Sequence, residues 1–236
     1  MRSSMNLYEI RDVLARTRMA VLTPRDIARV TGLDRTTAYV IASRMLKKGL
    51  LRRVEKGRLS LSDDPFIVSS QLVYPSYISF ATALYIHGRF QQTVDVAFVV
   101  TSRRHLPLRF EGMRVEFVRM PPRRIFGFRK VQRGSSYIML ADVEKAIVDI
   151  LCRPRYTGVA CTRGALEEGI DVANLERYVL GMNEESVLRR AGYLLDSVGI
   201  EHSLKPRTRT PYMLNPSLGT RGKYVKEWRL YVNEVV

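Results

Sequence analysis

The stretch TPRDIARVTGLDRTTAYVIASRMLKK, from Thr23 to Lys48, predicts two short helices separated by a tight turn. Thr23 is suited to cap the first helix, and Pro24 fits its first position, where the missing N–H of proline costs nothing. Gly32 marks the end of this helix, because glycine adopts the left-handed backbone conformation that terminates helices. The spacing of these signals predicts a helix-turn-helix.

The second helix of this motif has two contrasting faces. It begins after Asp34, a capping residue, and ends at Gly49. The apolar residues that recur at helical spacing, and so predict the buried face, are Ala38, Ile41, Ala42 and Met45. The opposite face is polar and basic without any acid, which suits the major groove of duplex DNA, where Arg and short polar side chains meet base edges. The residues that we expect to contact bases are Arg35, Thr36, Tyr39, Val40 and Ser43.

A predicted hairpin, LLRRVEKGRLSLS from Leu50 to Ser62, follows with its turn at Glu55-Lys56-Gly57. With a first helix over Ser4 to Ala15 and a short strand over Arg18 to Leu22, it completes a winged helix-turn-helix domain of residues 1–62. The side chains that we expect to contact phosphates are Arg44, Lys47, Arg52, Arg53, Lys56 and Arg58. Residues 1–62 carry fourteen Lys and Arg against five Asp and Glu, a net charge of +9, so double-stranded DNA is the predicted partner.

The charge of the whole chain supports a polyanionic partner. The formal net charge is +16 over 236 residues. An anionic membrane surface is the weaker interpretation, because the longest apolar run, Tyr77 to Ile86, is too short to span a bilayer. The N-terminus lacks the apolar core of a signal peptide, so we expect a cytoplasmic protein.

Residues 63–236 predict a second, mixed domain, which makes the fold class α+β with a small antiparallel or mixed sheet flanked by helices. Two helices are expected from Pro65 and over Ser76–His87, the latter with Ile78, Ala81, Leu84 and Tyr85 buried. Alternating β-branched residues then predict four or five strands in VDVAFVVT, HLPLRF, MRVEFVRM, RRIFGFRKV and SSYIMLA, between residues 94 and 141.

The end of the second domain is expected to be helical and then basic. Helices are expected after Asp142, over Asn174–Leu180 and over Glu184–Val198. A basic segment, 203–236, ends in the predicted strand WRLYVN, which suggests that the tail returns to the fold.

Catalytic chemistry has weak support in the sequence. The acidic residues Asp95, Glu116, Asp142 and Glu144 with Lys145 loosely resemble a metal-dependent nuclease site, but a capped helix with surface charges explains the last three better. The histidines His87, His105 and His202 lie far apart, so we expect no metal, no cofactor and no enzymatic activity. Cys152 and Cys161 match no metal or redox spacing; free buried thiols are the default, and a disulfide stays open.

Two other interpretations remain at this point. The winged helix could dock a protein instead of DNA, and a metal-dependent enzyme acting on nucleic acid is the third alternative. The second domain could also touch nucleic acid, and the candidate contacts there are Arg123, Arg124, Arg207 and Arg209. The aromatic residues Tyr77, Phe80 and Tyr85 are better explained by core packing than by base stacking.

The order of these motifs resembles the AbiEi-type antitoxins, the transcriptional regulators of viral defence found in abortive-infection loci. The likeness rests on the winged helix followed by PSYISFATALYIHG, VAFVVTSRR, FGFRKV, ADVEKAIVDIL and LGTRGKYVKEWRLYVN. It implies a repressor that binds inverted repeats in its own promoter, with two copies on the DNA. It also implies that the C-terminal domain opposes a nucleotidyltransferase-like toxin in a type IV toxin–antitoxin system, with or without a stable complex. The basic second domain, net +7 from residue 63 onward, departs from the ordinary charge of the family.

Overall fold

The first part of the chain folds into helices around a three-stranded antiparallel sheet. The computed structural model describes residues 5–219 and 222–235. The first elements are α1 (Leu7–Arg16), β1 (Val21–Leu22), α2 (Pro24–Thr31), α3 (Arg35–Lys47), β2 (Arg52–Glu55) and β3 (Arg58–Ser60). The sheet has the order β1-β3-β2, which with three helices gives the element order of a winged helix-turn-helix. We refer to residues 5–62 as the N-terminal part and to the rest of the described chain as the C-terminal part.

The helix ends lie where the sequence predicts them. The Thr23 hydroxyl accepts a hydrogen bond from the Asp26 N–H at 3.2 Å, and Gly32 adopts a left-handed φ of 71° after α2. The Asp34 carboxylate accepts from the Thr37 N–H at 2.9 Å and so caps α3. The predicted start of the first helix at Ser4 lies outside the described residues, and α1 itself begins at Leu7 after the cap Asn6.

A hydrophobic cluster of its own holds the N-terminal part together. Every member lies within residues 10–59, and α1, α2, α3 and the sheet all contribute. The buried members are Ile10, Leu14, Leu22, Ile27, Ala38, Ala42, Met45, Leu51 and Leu59. The predicted inner face of α3 is therefore confirmed, with Ile41 half-buried at its border.

A six-stranded mixed sheet forms the centre of the C-terminal part. Its strands are β4 (Ser76–Ile78), β5 (Val96–Thr101), β6 (Leu108–Phe110), β7 (Met113–Arg119), β8 (Phe128–Arg133) and β9 (Ser136–Ala141). They lie in the order β6-β7-β5-β4-β9-β8. The pairs β5–β7 and β4–β9 are parallel and the other three are antiparallel, so the expected mixed sheet is confirmed.

The predicted helix over Ser76–His87 is wrong in its first turn. Ser76–Ile78 is the strand β4, in which Tyr77 pairs with Val100 of β5. The backbone of Phe80 then has a left-handed φ of 58°, and a helix begins only there. Because residues 76–86 are apolar except for two serines and a threonine, their periodicity could not distinguish a central strand from a buried helix. Tyr85, expected to be buried, is 39% exposed.

Helices and a small second sheet complete the C-terminal part. The helices are α4 (Pro65–Leu72), α5 (Phe80–Ile86), α6 (Val143–Cys152), α7 (Arg163–Glu167), α8 (Val172–Met182) and α9 (Glu185–Ser197). The last strands are β10 (Tyr212–Met213), β11 (Lys223–Val225) and β12 (Leu230–Val232), in the order β10-β12-β11. Trp228 is 3% exposed and packs over Gly192 of α9, so the tail does return to the fold. Thr220 and Arg221 of the quoted C-terminal motif lie outside the described residues.

None of the helices in residues 5–219 and 222–235 has the length and apolar character needed to cross a bilayer.

Candidate nucleic-acid interface

The outer face of α3 is open to solvent along its length. Arg35, Thr36 and Ser43 are exposed, and the apolar side chains on the same face are exposed as well, Tyr39 at 57% and Val40 at 45%. Exposed apolar side chains are common on protein surfaces, and these two lie on the same helix face as Arg35, Thr36 and Ser43, where a ligand can reach all five. We call these five residues the recognition face.

Positive charge gathers at the end of α3. Arg44 and Lys47 lie in its last turn and are exposed, and α3 itself contains no acidic residue. Neither side chain has an ion-pair partner among the described residues. The Asp34 carboxylate at the other end is engaged by the side chain and backbone N–H of Thr37, which lower its pKa. The charge that α3 offers outward is therefore positive.

The wing hairpin is formed by β2, β3 and the turn between them. Two of its four basic side chains have acidic neighbours, and two have none among the described residues. Arg53 and Lys56 are exposed and, in the part of the chain that the structure describes, have no ion-pair partner. Arg58 is half-buried; its guanidinium contacts Glu55 at 3.3 Å and donates to the carbonyl oxygen of Leu72. One donor of Arg58 is thus directed at Glu55 of the wing and another at the C-terminal part, while the side chain is still 39% exposed. Its phosphate contact stays a prediction.

Arg52, the remaining predicted wing contact, also has an acidic neighbour. Its Nε lies 3.6 Å from Oε1 of Glu111, in the turn between β6 and β7. The Arg52 side chain is still 46% exposed, so it stays accessible to a ligand. An exposed pair of this kind contributes little to stability because water screens it.

The wing hairpin is packed against the C-terminal part, which sequence reasoning missed. Val54 is 6% exposed and belongs to the hydrophobic core of the C-terminal part. The Glu55 carboxylate lies 3.4 Å from Nε2 of His105, whose ring packs on Phe117 at 4.3 Å between centroids. Such contacts join residues some fifty positions apart, and no local pattern in the sequence could have indicated them.

The four candidate contacts in the C-terminal part differ in accessibility. Arg123, Arg207 and Arg209 are exposed. Arg124 is 7% exposed, pairs with Glu184 at 2.5 Å and donates to the carbonyl oxygen of Met182 at 3.1 Å. Its prediction as a phosphate contact is corrected, because a buried and fully engaged guanidinium cannot reach a ligand.

Glu144 and Lys145 of the acidic run after β9 are buried, contrary to the expectation of surface charges. Lys145 and Asp149 are both 0% exposed and form an ion pair within α6. Asp149 also accepts from the hydroxyls of Tyr77 at 3.0 Å and Ser79 at 2.8 Å. Burial, followed by the neighbouring Asp149 charge, raises the pKa of Tyr77 well above its ordinary value. The side-chain polar atoms of these four residues are hydrogen-bonded or ion-paired to one another, as expected of a cluster that stabilises the fold.

The other acids of the suspected nuclease-like set do not join that cluster. Asp142 occupies the N-cap position of α6, but its carboxylate accepts from the Tyr178 hydroxyl at 2.8 Å and does not cap the helix as expected. Glu116 pairs with Arg114 at 2.7 Å, and Asp95 is exposed. Within residues 5–219 and 222–235, no three His, Cys, Asp or Glu side chains converge in a metal-binding arrangement.

The two cysteines are free thiols. Cys152 is buried and Cys161 half-buried, and burial raises the pKa of each thiol to about 11.

Comparison with known proteins gives a family match over the segment that contains α3. A family model described as "Transcriptional regulator, AbiEi antitoxin" matches residues 9–57. The matched segment includes all of α3 and the turn of the wing hairpin, so the resemblance to AbiEi-type antitoxins is confirmed there. The description is that of a regulator of transcription and not of an enzyme. No curated protein matches the chain.

Proposed function

We propose that this chain is a repressor that binds inverted repeats in its own promoter and acts as the antitoxin of a type IV toxin–antitoxin system of viral defence. One observation carries the DNA-binding half of the proposal. The recognition face of α3 is exposed along its whole length, includes Tyr39 and Val40, and lies within the segment similar to transcriptional regulators.

The recognition face has the chemistry that base reading needs. An α-helix fits the major groove, where Arg35 in the first turn of α3 can donate to the acceptor edge of guanine. The hydroxyls of Thr36 and Ser43 serve either as donors or as acceptors, and Val40 and Tyr39 offer apolar contact to thymine methyl groups. These contacts would distinguish one sequence from another.

The cations around this face would hold the phosphates. Arg44 directly follows Ser43, Lys47 lies about one turn beyond Ser43, and Arg53 and Lys56 belong to the wing hairpin. Phosphate contacts position a protein on DNA without reading its sequence, and their strength falls steeply with added salt. Two copies on an inverted repeat would double this set.

The antitoxin half of the proposal is supported by the family description alone. The family match covers residues 9–57 only. Our proposal assigns the C-terminal part, which has its own sheet and core, to neutralising a nucleotidyltransferase-like toxin. The cheapest test is genetic: co-expression of the full chain with the product of an adjacent nucleotidyltransferase gene should restore growth. If growth arrest persisted although the chain was folded and soluble, the proposed antitoxin activity would be refuted.

The DNA-binding half is tested with the full chain and a duplex of its own promoter. Thr36→Ala and Tyr39→Ala should each cost about 1 to 3 kcal/mol on the promoter sequence and nothing on unrelated duplex. Lys47→Ala and Arg53→Ala should weaken binding to all sequences and lower the salt slope by about one each. Lys205→Ala, which removes an exposed charge far along the chain, is the matched control. If the base-contact variants and the phosphate-contact variants lost affinity in the same way, the assignment of residues to bases and phosphates would be wrong. If the full chain bound no duplex, a winged helix that docks a protein would be favoured.

A further inference from the structure

The small sheet of β10, β11 and β12 has one buried and one exposed face. Leu230 of β12 is 0% exposed, and because side chains alternate along a strand, the next residue, Tyr231, points outward. Tyr231 pairs with Met213 of β10 on one side and with Tyr224 of β11 on the other. Side chains at paired positions lie on the same face, so these three form a row across the sheet. We call them the tyrosine face.

The two tyrosine rings of this row are open to solvent. Tyr224 is 44% exposed and Tyr231 38%, with their ring centroids 5.0 Å apart and the ring planes at 45°. The third large aromatic residue of the same segment behaves differently: Trp228 is 3% exposed, and its indole N–H donates to Asp196 at 2.6 Å. The segment therefore buries one aromatic ring in the fold and presents two others outward.

Positive charge surrounds the tyrosine face. Arg229 donates to the carbonyl oxygen of Thr208 at 3.0 Å, which fixes the preceding extended segment beside the sheet. The exposed basic residues of that segment and of β11 with its turn, none of which has an ion-pair partner among the described residues, are Arg207, Arg209, Lys223 and Lys226. Of the two acids nearby, Glu227 is exposed, whereas the carboxylate of Glu234 accepts from the Val159 N–H at 2.6 Å. The charge available to a ligand is therefore mainly positive.

The tyrosine face lies away from the wing hairpin. Phe117 lies on the face of the six-stranded sheet that the wing adjoins, and the strand register places Ile78 on that face too. Tyr77, the residue before Ile78, points to the other face, where its hydroxyl reaches α6. Helix α9 packs on α6, and Trp228 packs over α9. The six-stranded sheet and these helices therefore separate the small sheet from the wing.

We propose that the tyrosine face binds single-stranded nucleic acid, with bases stacked on Tyr224 and Tyr231 and phosphates held by the surrounding cations. Aromatic rings on a basic surface are the combination that single strands require, because every base has a face that can stack. A duplex keeps its base faces within its own stack and could not use the rings. This site is separate from α3, and the inference does not depend on the proposed function.

The test measures binding of a fluorescein-labelled oligouridylate of about 12 nucleotides to the full chain by fluorescence anisotropy. Tyr224→Leu and Tyr231→Leu should each weaken binding roughly 5- to 150-fold, which is the contribution of stacking one base on an aromatic ring. The salt dependence should stay that of wild type, because no charge is removed. Lys223→Ala/Lys226→Ala should instead lower the slope of log affinity against log salt by about 1.4.

A parallel titration with an oligothymidylate of the same length shows whether the strand is RNA or DNA. Binding of either strand with this dependence on the two tyrosines supports the proposal.

A matched control is Tyr85→Leu, which removes a tyrosine that is 39% exposed on α5 and should leave the affinity unchanged. Circular dichroism should give one melting temperature for all variants, and the tyrosine variants should bind the promoter duplex as wild type does. If wild type binds neither oligonucleotide, or if Tyr224→Leu/Tyr231→Leu binds as tightly as wild type, the inference is refuted. Promoter binding is measured separately, so the proposed function would stand in that case.

Discussion

Replacing Lys145 by Met should destabilise the C-terminal part strongly, because it leaves a carboxylate buried without its counter-charge. Lys145 and Asp149 are each 0% exposed, and Lys145 Nζ also lies 4.7 Å from the centre of the Phe126 ring. Removing one partner of a buried pair costs about 3 to 5 kcal/mol. For a chain of this size, about 2 to 4 °C per kcal/mol converts this to a melting temperature lower by roughly 6 to 20 °C.

An exposed pair of the same spacing provides the control. Arg163 and Glu167 are also four residues apart in a helix, with Nε to Oε1 at 2.7 Å, but their side chains are 53% and 51% exposed. Glu167→Met should cost well under 1 kcal/mol, because such pairs contribute about 0.3 to 0.5 kcal/mol. Because both pairs have the same spacing in a helix, the difference between the two variants measures the effect of burial on the unfolding free energy.

A double variant tests the electrostatic reason. Lys145→Met/Asp149→Asn removes both charges yet keeps an acceptor for the Tyr77 and Ser79 hydroxyls, so it should unfold at a higher temperature than Lys145→Met alone. The measurement is thermal and urea unfolding followed by far-ultraviolet circular dichroism. A shift for Lys145→Met no larger than that of Glu167→Met would refute the reasoning.

Three further predictions concern the C-terminal part. Gly192→Ala should cost about 1 to 3 kcal/mol of unfolding free energy in urea titrations, because the added Cβ would lie 2.0 Å from the Trp228 ring; an unchanged midpoint would contradict the packing. Burial raises the pKa of Glu184, but the Ser186 hydrogen bond and the Arg124 and Arg153 charges outweigh it, so the pKa is lowered overall. Ionised Glu184 therefore stabilises the folded chain at pH values above its unfolded pKa of about 4.3, and this stabilisation is lost as the pH falls through its lower folded pKa. Arg124→Gln should make the unfolding free energy, measured by urea titration, less dependent on pH between about pH 3 and 6. Since burial raises the pKa of Cys152 to about 11, a disulfide reagent at about pH 8 should modify this thiol only on unfolding, and rapid native labelling would contradict its burial.

The local elements of the N-terminal part were predictable because their signals are local. Thr23, Pro24, Gly32 and Asp34 act on the backbone within four residues, and each occupies the position that its chemistry predicts. The apolar spacing of α3 likewise determines which face is buried. Exposure of the recognition face then follows, although its role in base reading stays a prediction.

The errors lie where distant parts of the chain decide the outcome. Tyr77 belongs to a central strand because β5 and β9 lie on either side of β4, which an apolar run cannot reveal. Lys145 is buried because Asp149 and the Phe126 ring surround it, although Lys at a helix start usually indicates a surface. Arg124 is buried against Glu184, because the sequence shows where a charge lies but not which partner it finds in the fold.

The central claim, that the recognition face of α3 reads base pairs, is tested most directly by selecting duplexes from a random-sequence pool with the full chain. Wild type should enrich a motif with inverted symmetry, and Tyr39→Ala should retain binding to the pool while losing that motif. Enrichment of the same motif by both proteins, or no retention of any duplex by wild type at low salt, would contradict the claim.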